Sequence, residues 1–250
     1  MVFAKKRNWS IIFLIMTNAL GKTVYSVRGG NMANYFSIAI DGPVGVGKST
    51  TARLAAKELG FTYVDTGALY RAVAYYLIEK GVDIYDESAA AQAAQNVAVN
   101  FDKLQNVYVN GNDVTSKIRT QTISESASVV ASYAQVRVKL LDLQRQLAKS
   151  QNVVMEGRDI GSFVLPNANL KIYLDAGVDI RARRRLDELL AKGQTATFED
   201  VKNETIIRDE RDMNRKESPL VRTSDAILID TGHKSIEEVV AEIVGLCKKD

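Results

Sequence analysis

Cysteine and histidine are almost absent from this 250-residue chain, which carries one of each, Cys247 and His233. A single cysteine excludes an intramolecular disulfide and a cysteine-built zinc site. A single histidine, in the loop Gly232-His233-Lys234, excludes a histidine metal cluster and a histidine-based triad, and it reads as a surface residue. No guanine-reading N-K-x-D element occurs, which argues against a GTPase switch. The formal charge of +3 is too small to argue for nucleic-acid binding by itself. Nor are the arginines interleaved with aromatic residues on which bases could stack. With 46% hydrophobic and 25% charged residues, the composition is that of an ordinary globular chain, long enough for one domain with small inserted subdomains.

The most explicit feature is Ser37-Ile38-Ala39-Ile40-Asp41, an apolar strand that runs into Gly42-Pro43-Val44-Gly45-Val46-Gly47-Lys48-Ser49-Thr50. The spacing is G-x-x-x-x-G-K-[ST]. Its glycines let backbone N–H groups close around phosphate oxygens, Lys48 reaches the β- and γ-phosphates, and the Ser49 hydroxyl is placed to hold Mg2+. The helix that follows, over 50–59, turns the positive end of its dipole toward the same anion. Strand, loop and helix in this order predict a nucleoside triphosphate site.

Further strands are expected at 61–65, 153–155, 170–174 and 226–229, and helices at 68–80, 87–95, 134–150, 178–192, 198–216 and 235–248. This alternation predicts an α/β fold with a doubly wound parallel sheet. Segments 97–101 and 107–109 alternate as strands do, and Asn110-Gly111 is a strong turn signal, so a small antiparallel insert is expected there.

The first 31 residues differ from the rest. Lys5-Lys6-Arg7 precedes Ile11-Ile12-Phe13-Leu14-Ile15-Met16, an apolar run far short of the ~20 residues that cross a bilayer. In outline it resembles a signal peptide, but exporting an enzyme away from its nucleotide makes poor sense. The expectation is an atypical extension over 1–31, disordered or upstream of a start at Met32, ahead of a single cytoplasmic domain over 32–250.

Arginine crowds the C-terminal third, at positions that include Arg181, Arg184, Arg208, Arg211, Arg215 and Arg222. Its planar guanidinium suits bidentate capture of phosphate. Four segments add to the loop. In Asp65-Thr66-Gly67-Ala68-Leu69-Tyr70-Arg71, a hydroxyl, free N–H groups and a guanidinium share one helix end. Glu156-Gly157-Arg158-Asp159-Ile160-Gly161 sits at the tip of a core strand, where ligands bind in such sheets. Ile118-Arg119-Thr120-Gln121 precedes Ser128 and Arg137. In Arg208-Asp209-Glu210-Arg211-Asp212-Met213-Asn214-Arg215, positions 208, 211 or 212, and 215 share one helix face.

These motifs, in this order behind the loop, resemble the bacterial cytidylate kinase family of P-loop nucleoside monophosphate kinases, from about residue 36 to the end of the chain. Glu156 stands where many members carry Asp. The resemblance implies transfer of the γ-phosphoryl group of ATP to CMP or dCMP with Mg2+, by a monomer with no nucleic-acid or membrane partner. It implies an NMP-binding insert over about 66–135 and a lid over about 192–209. Arg71 and Arg158 would hold the CMP phosphate, with Thr66 and Tyr70 lining that pocket. Arg208 and Asp212 would approach the ribose, Arg215 the transferring phosphate, and Arg184 the donor. Asp159 would face the cytosine amino group, with Arg137 and Ser128 at N3 and O2. The rival readings are a P-loop kinase with another acceptor, such as a shikimate kinase, and a regulatory P-loop NTPase.

Overall fold

The computed structural model describes residues 35–102, 105–191 and 193–248, and the backbone of two short segments, 15–17 and 23–25. The chain divides into two compact units, Met1–Asn34 and Tyr35–Asp250. In the first, β1 (Ile15–Thr17) pairs antiparallel with β2 (Thr23–Tyr25), so the expected extension contains a strand pair. The rest of 1–31, and Met32, lie outside the described residues.

The second unit runs β3 (Ser37–Asp41), α1 (Lys48–Leu59), β4 (Thr62–Asp65), α2 (Thr66–Glu79), α3 (Glu87–Ala94), β5 (Val99–Phe101), β6 (Val107–Val109) and β7 (Asn112–Asp113). It continues through α4 (Gln121–Val130), α5 (Ala134–Ser150), β8 (Val153–Glu156), β9 (Leu170–Asp175), α6 (Val178–Ala191), α7 (Phe198–Asn214), β10 (Ile227–Asp230) and α8 (Ile236–Cys247). Five strands form one parallel sheet in the order β10-β9-β3-β8-β4. Lys192, where the lid was expected to open, lies outside the described residues.

The central strand β3 is buried at all five positions because helices cover both faces of the sheet. Ile38 and Ile40 pack with Ala52, Ala55 and Ala56 of α1 and Val240 and Ile243 of α8. Ala39 faces the opposite way, with Met155 and with Leu141 and Leu147 of α5. A separate core joins α2 through α5 to the antiparallel sheet β5-β6-β7. There Asn110 and Gly111 turn β6 into β7 with φ of 49° and 83°, the pair of positive values that a type I′ turn requires. The expected small antiparallel insert is therefore present.

The carboxyl ends of β3, β4 and β8 bring Asp41, Asp65 and Glu156 to one edge of the sheet. After β8 the chain makes a single wide turn, Ile160–Val164, that begins on the Asp41 carboxylate. Its two oxygens accept the Ile160 N–H at 2.8 Å and the Gly161 N–H at 2.7 Å. Burial outweighs these two bonds and raises the carboxyl from 3.8 to about 6. The folded protein thus binds this proton more tightly than the unfolded chain does. The stability so gained is full at low pH and disappears as pH rises through 6. Asparagine does not titrate. The stability gap between wild type and Asp41→Asn is therefore expected to narrow by about 1–2 kcal/mol from pH 5 to pH 7.5. Denaturant melts of both proteins at the two pH values measure it; a constant gap would show that Asp41 titrates normally.

Candidate active site

The loop between β3 and α1 lies so close to β9 that a Cβ on Gly42 would stand 2.2 Å from the Leu174 carbonyl oxygen. With φ at 149°, only glycine fits there. Lys48 is buried and folds back along its own loop, donating to the Pro43 carbonyl at 2.6 Å. Burial, and then the neighbouring Arg158, hold its ammonium well below the usual lysine range. Across from it, Asp65 and Glu156 are register partners at the tips of β4 and β8. The Tyr63 hydroxyl donates to Glu156 Oε1 at 2.5 Å, and the Ser49 hydroxyl bonds the same carboxylate. Burial, and then Asp65, push the Glu156 carboxyl up. A hydroxyl beside a carboxylate is a hard oxygen donor set that fits Mg2+.

The facing wall comes from α2, α4, the turn after β8, and α7. Asp65, rather than Thr66, caps α2 by accepting the Ala68 N–H at 2.9 Å. Thr66 instead donates to the Glu156 carbonyl at 2.7 Å, tying the start of α2 to β8. Arg71 pairs with Asp65 at 2.7 Å, and Arg158 with Asp212 at 2.8 Å. Burial raises the Asp212 carboxyl, but Arg158 and Arg208 outweigh it and hold the group below the usual carboxylate range. Burial, reinforced by Arg158, brings Arg208 down to about 10. Deeper in, Asp159 is buried between Arg137, which pairs with it directly, and Arg215 at 3.4 Å. Arg137 also donates to the Ala131 carbonyl and lies between the rings of Tyr70 and Phe163.

Together these walls enclose a cleft of about 360 Å³. It is lined by Val44, Gly45, Gly47, Lys48, Ser49 and Thr50 on the loop side, and by Thr66, Tyr70, Arg71, Ser128, Arg158, Asp159, Arg208, Asp212 and Arg215 opposite. Four buried polar atoms among them have no hydrogen-bond partner among the described residues: Arg71 Nε, Arg208 Nε, Ser128 Oγ and Arg215 Nη2, the last in an ion pair with Asp159. Buried donors in native proteins are satisfied with few exceptions. A cluster of four, three of them on cations, suits a polar, anionic ligand.

Most of the expected residues meet here, with two differences. Arg184 does not line the cleft. Its guanidinium is bonded to the Thr231 hydroxyl at 3.2 Å and carbonyl at 2.6 Å, behind the phosphate loop, where the Thr231 hydroxyl reaches the Val46 carbonyl. The side chains that α6 sends into the cleft are Arg185 and Glu188. Arg215 lines the cleft, where it pairs with Asp159 at 3.4 Å and donates to the Ser218 carbonyl at 2.7 Å. Arg137 stands behind Asp159 rather than in the cleft wall. On α7, of the alternatives Arg211 and Asp212, it is Asp212 that turns inward and Arg211 that is exposed.

Several groups escaped the sequence reading. Asp65, Tyr63 and Gln144, which bonds the Tyr70 hydroxyl, shape the walls through pairings between distant segments. Arg181 and Asp209 grip the phosphate loop. No signal in the sequence marked them, or separated Arg185 from Arg184.

The profile of the family described as cytidylate kinase matches residues 38–249. A protein named cytidylate kinase from Pelotomaculum thermopropionicum is 48% identical over 217 residues, covering 85% of this chain and 96% of its own. Its namesake from Pediococcus pentosaceus is 46% identical over 216 residues, with the same coverages. Among solved structures, a shikimate kinase from Bacteroides thetaiotaomicron superposes with a TM-score of 0.42 at 13% identity, over 85% of this chain and 98% of that one.

Proposed function

The chain belongs to the cytidylate kinase family, and from that premise and the cleft we propose how its residues divide the work of phosphorylating CMP and dCMP with ATP. Both donor and acceptor phosphates are already anionic, so the reaction needs no strong base. It needs alignment of two oxygens and neutralisation of charge as the γ-phosphoryl group passes between them. The observation that carries the reading is one cleft with the phosphate loop on one wall and, on the other, buried arginine donors that have no hydrogen-bond partner among the described residues.

The loop of residues 42–50, through its N–H groups other than Val44's, and Lys48 take the ATP phosphates. Ser49, with Glu156 beside it, would hold Mg2+, which when bound neutralises charge on the donor phosphates. Arg71 and Arg158 grip the CMP phosphate beside Thr66, and Arg208 and Asp212 approach the ribose. Arg185 adds positive charge on the donor side of the same wall. The α6–α7 arm, with a lid over about 192–209, closes over the cleft and limits hydrolysis of ATP by water. The insert over about 66–135 carries the acceptor. One chain supplies both walls, which supports a monomer; the cytoplasm is the compartment in which its substrates occur. No helix of the described residues is long and apolar enough to cross a membrane.

Base selection follows from Asp159 and Ser128. Arg137 and Arg215 fix the Asp159 carboxylate as an acceptor, suited to the cytosine amino group. Uracil presents O4 at that position, acceptor against acceptor, and an unpaired buried group costs about 1–3 kcal/mol. UMP is therefore expected to show a kcat/KM about 10- to 100-fold below that of CMP. Ser128→Ala should raise KM for CMP about 3- to 10-fold with kcat little changed. A coupled ADP-release assay with CMP, dCMP, UMP, AMP or shikimate reads both. Equal use of UMP would overturn the base assignment, and slow hydrolysis indifferent to acceptor would overturn the kinase reading.

A further inference from the structure

The helices that bound the acceptor side also hold the phosphate loop from outside. Arg181, in the first turn of α6, is buried and spends its guanidinium on three acceptors. Nε donates to the Ala176 carbonyl at 2.8 Å, and Nη1 to the Val44 carbonyl at 3.0 Å and to Asp209 Oδ2 at 2.5 Å. Asp209, near the end of α7, is buried too, and its second oxygen accepts the Val44 N–H at 3.3 Å. Both polar groups of one loop peptide position are thus held by a single ion pair that bridges α6 and α7. The contact is close as well as polar. A Cβ on Gly45 would stand 3.0 Å from Arg181 Cβ and 3.2 Å from its carbonyl oxygen, so the loop rests on the first turn of α6.

We propose that Arg181 and Asp209 are a positioning pair that sets the conformation of the phosphate loop at Val44 and ties it to the α6–α7 arm. The proposal rests on the reading that ATP occupies the loop and CMP the facing wall. A purely structural pair would only need to join α6 to α7. That task is already met elsewhere, by Ala182, Leu186, Leu189 and Val201 with Phe198. The pair reaches past the helix contact to both sides of Val44. Its neighbour in sequence, Arg208, faces the acceptor cleft with an unpartnered Nε. Consecutive residues of α7 therefore face the two walls of the cleft, Asp209 the phosphate loop and Arg208 the acceptor side.

Asp209→Asn keeps an oxygen for the Val44 N–H and the side-chain volume, but removes the charge that holds Arg181. It is expected to raise KM for ATP at least tenfold while KM for CMP, at saturating ATP, changes less than twofold. Arg181→Lys, with one ammonium in place of a fork, is expected to fall between wild type and Asp209→Asn. Binding of a non-hydrolysable ATP analogue without acceptor, followed by titration calorimetry, should show the same loss. That readout is independent of whether CMP is the acceptor, so a wild-type enzyme inactive on CMP would count against the proposed function and leave this test intact. The proposal is overturned if both KM values rise together, if neither moves, or if both variants fail to fold, since the pair would then be scaffold.

Discussion

Lys48→Met is expected to lower kcat by about 10³-fold or more and, in the absence of nucleotide, to leave the melting temperature unchanged or raise it. The two effects have one cause. The Lys48 ammonium is buried, bonded among the described residues only to the Pro43 carbonyl, and destabilised by burial and by Arg158 more than Glu156 and Asp212 relieve it. Such a cation weakens the empty fold, and an apolar side chain of similar size relieves that cost. In the proposed reaction the triphosphate brings negative charge to this ammonium, which would then lie where charge builds up during transfer. Steady-state kinetics at saturating ATP and CMP, paired with thermal melts of the free protein, test both halves. A kcat within tenfold of wild type would remove Lys48 from the reaction.

Arg158→Ala should produce the second large effect, and it is separable into stability and binding. Arg158 forms a partly shielded ion pair with Asp212, with side-chain exposures of 18% and 9%. Removing one member of such a pair leaves a buried charge, at a cost of about 3–5 kcal/mol when fully desolvated, reduced here because Arg208 also faces Asp212. Independently, KM for CMP should rise about 100-fold through loss of a charge-assisted bidentate contact to phosphate, with the affinity for an ATP analogue little changed. The double variant Arg158→Ala/Asp212→Leu distinguishes the two. Stability should recover, because the orphaned carboxylate is gone, but CMP binding should not. Unchanged CMP kinetics in the single variant would place Arg158 outside the acceptor site.

The parts legible in the sequence were those whose chemistry lies in one contiguous stretch. The phosphate loop, the apolar strand before it and the Asn110-Gly111 turn are local, and the structure matches them. The parallel sheet followed from alternation alone, since strands such as β3 that are covered on both faces read as unbroken apolar runs. What stayed hidden depends on contacts between distant segments. Asp65 is an ordinary helix cap until β4 pairs with β8 and sets it beside Glu156. Asp209 reads as one charge in a polar helix until α7 meets the loop at Val44. Arg184 and Arg185 are equivalent in composition and differ only by 100° of helical rotation, which sends one to Thr231 and the other to the cleft.

The placement of β3 at the middle of the sheet also dictates when this protein can become a protein. β3 comes first among the sheet strands in the chain, yet it pairs only with β8 and β9, and the hydrogen bond that flanks the first pairing joins Phe36 to Asn152 across 116 residues. β4, next in sequence, pairs only with β8. On a ribosome, no strand of the sheet has a partner until more than half the chain has been made. The α2–α5 unit with its small antiparallel sheet is closed by local contacts and can assemble first. Synthesis should thus pass through a stage in which the acceptor half is built and the phosphate loop is not. Long-range parallel pairing of this kind is slow and leaves apolar edges exposed meanwhile, so chains stalled before β8 are the ones to look for in association with chaperones.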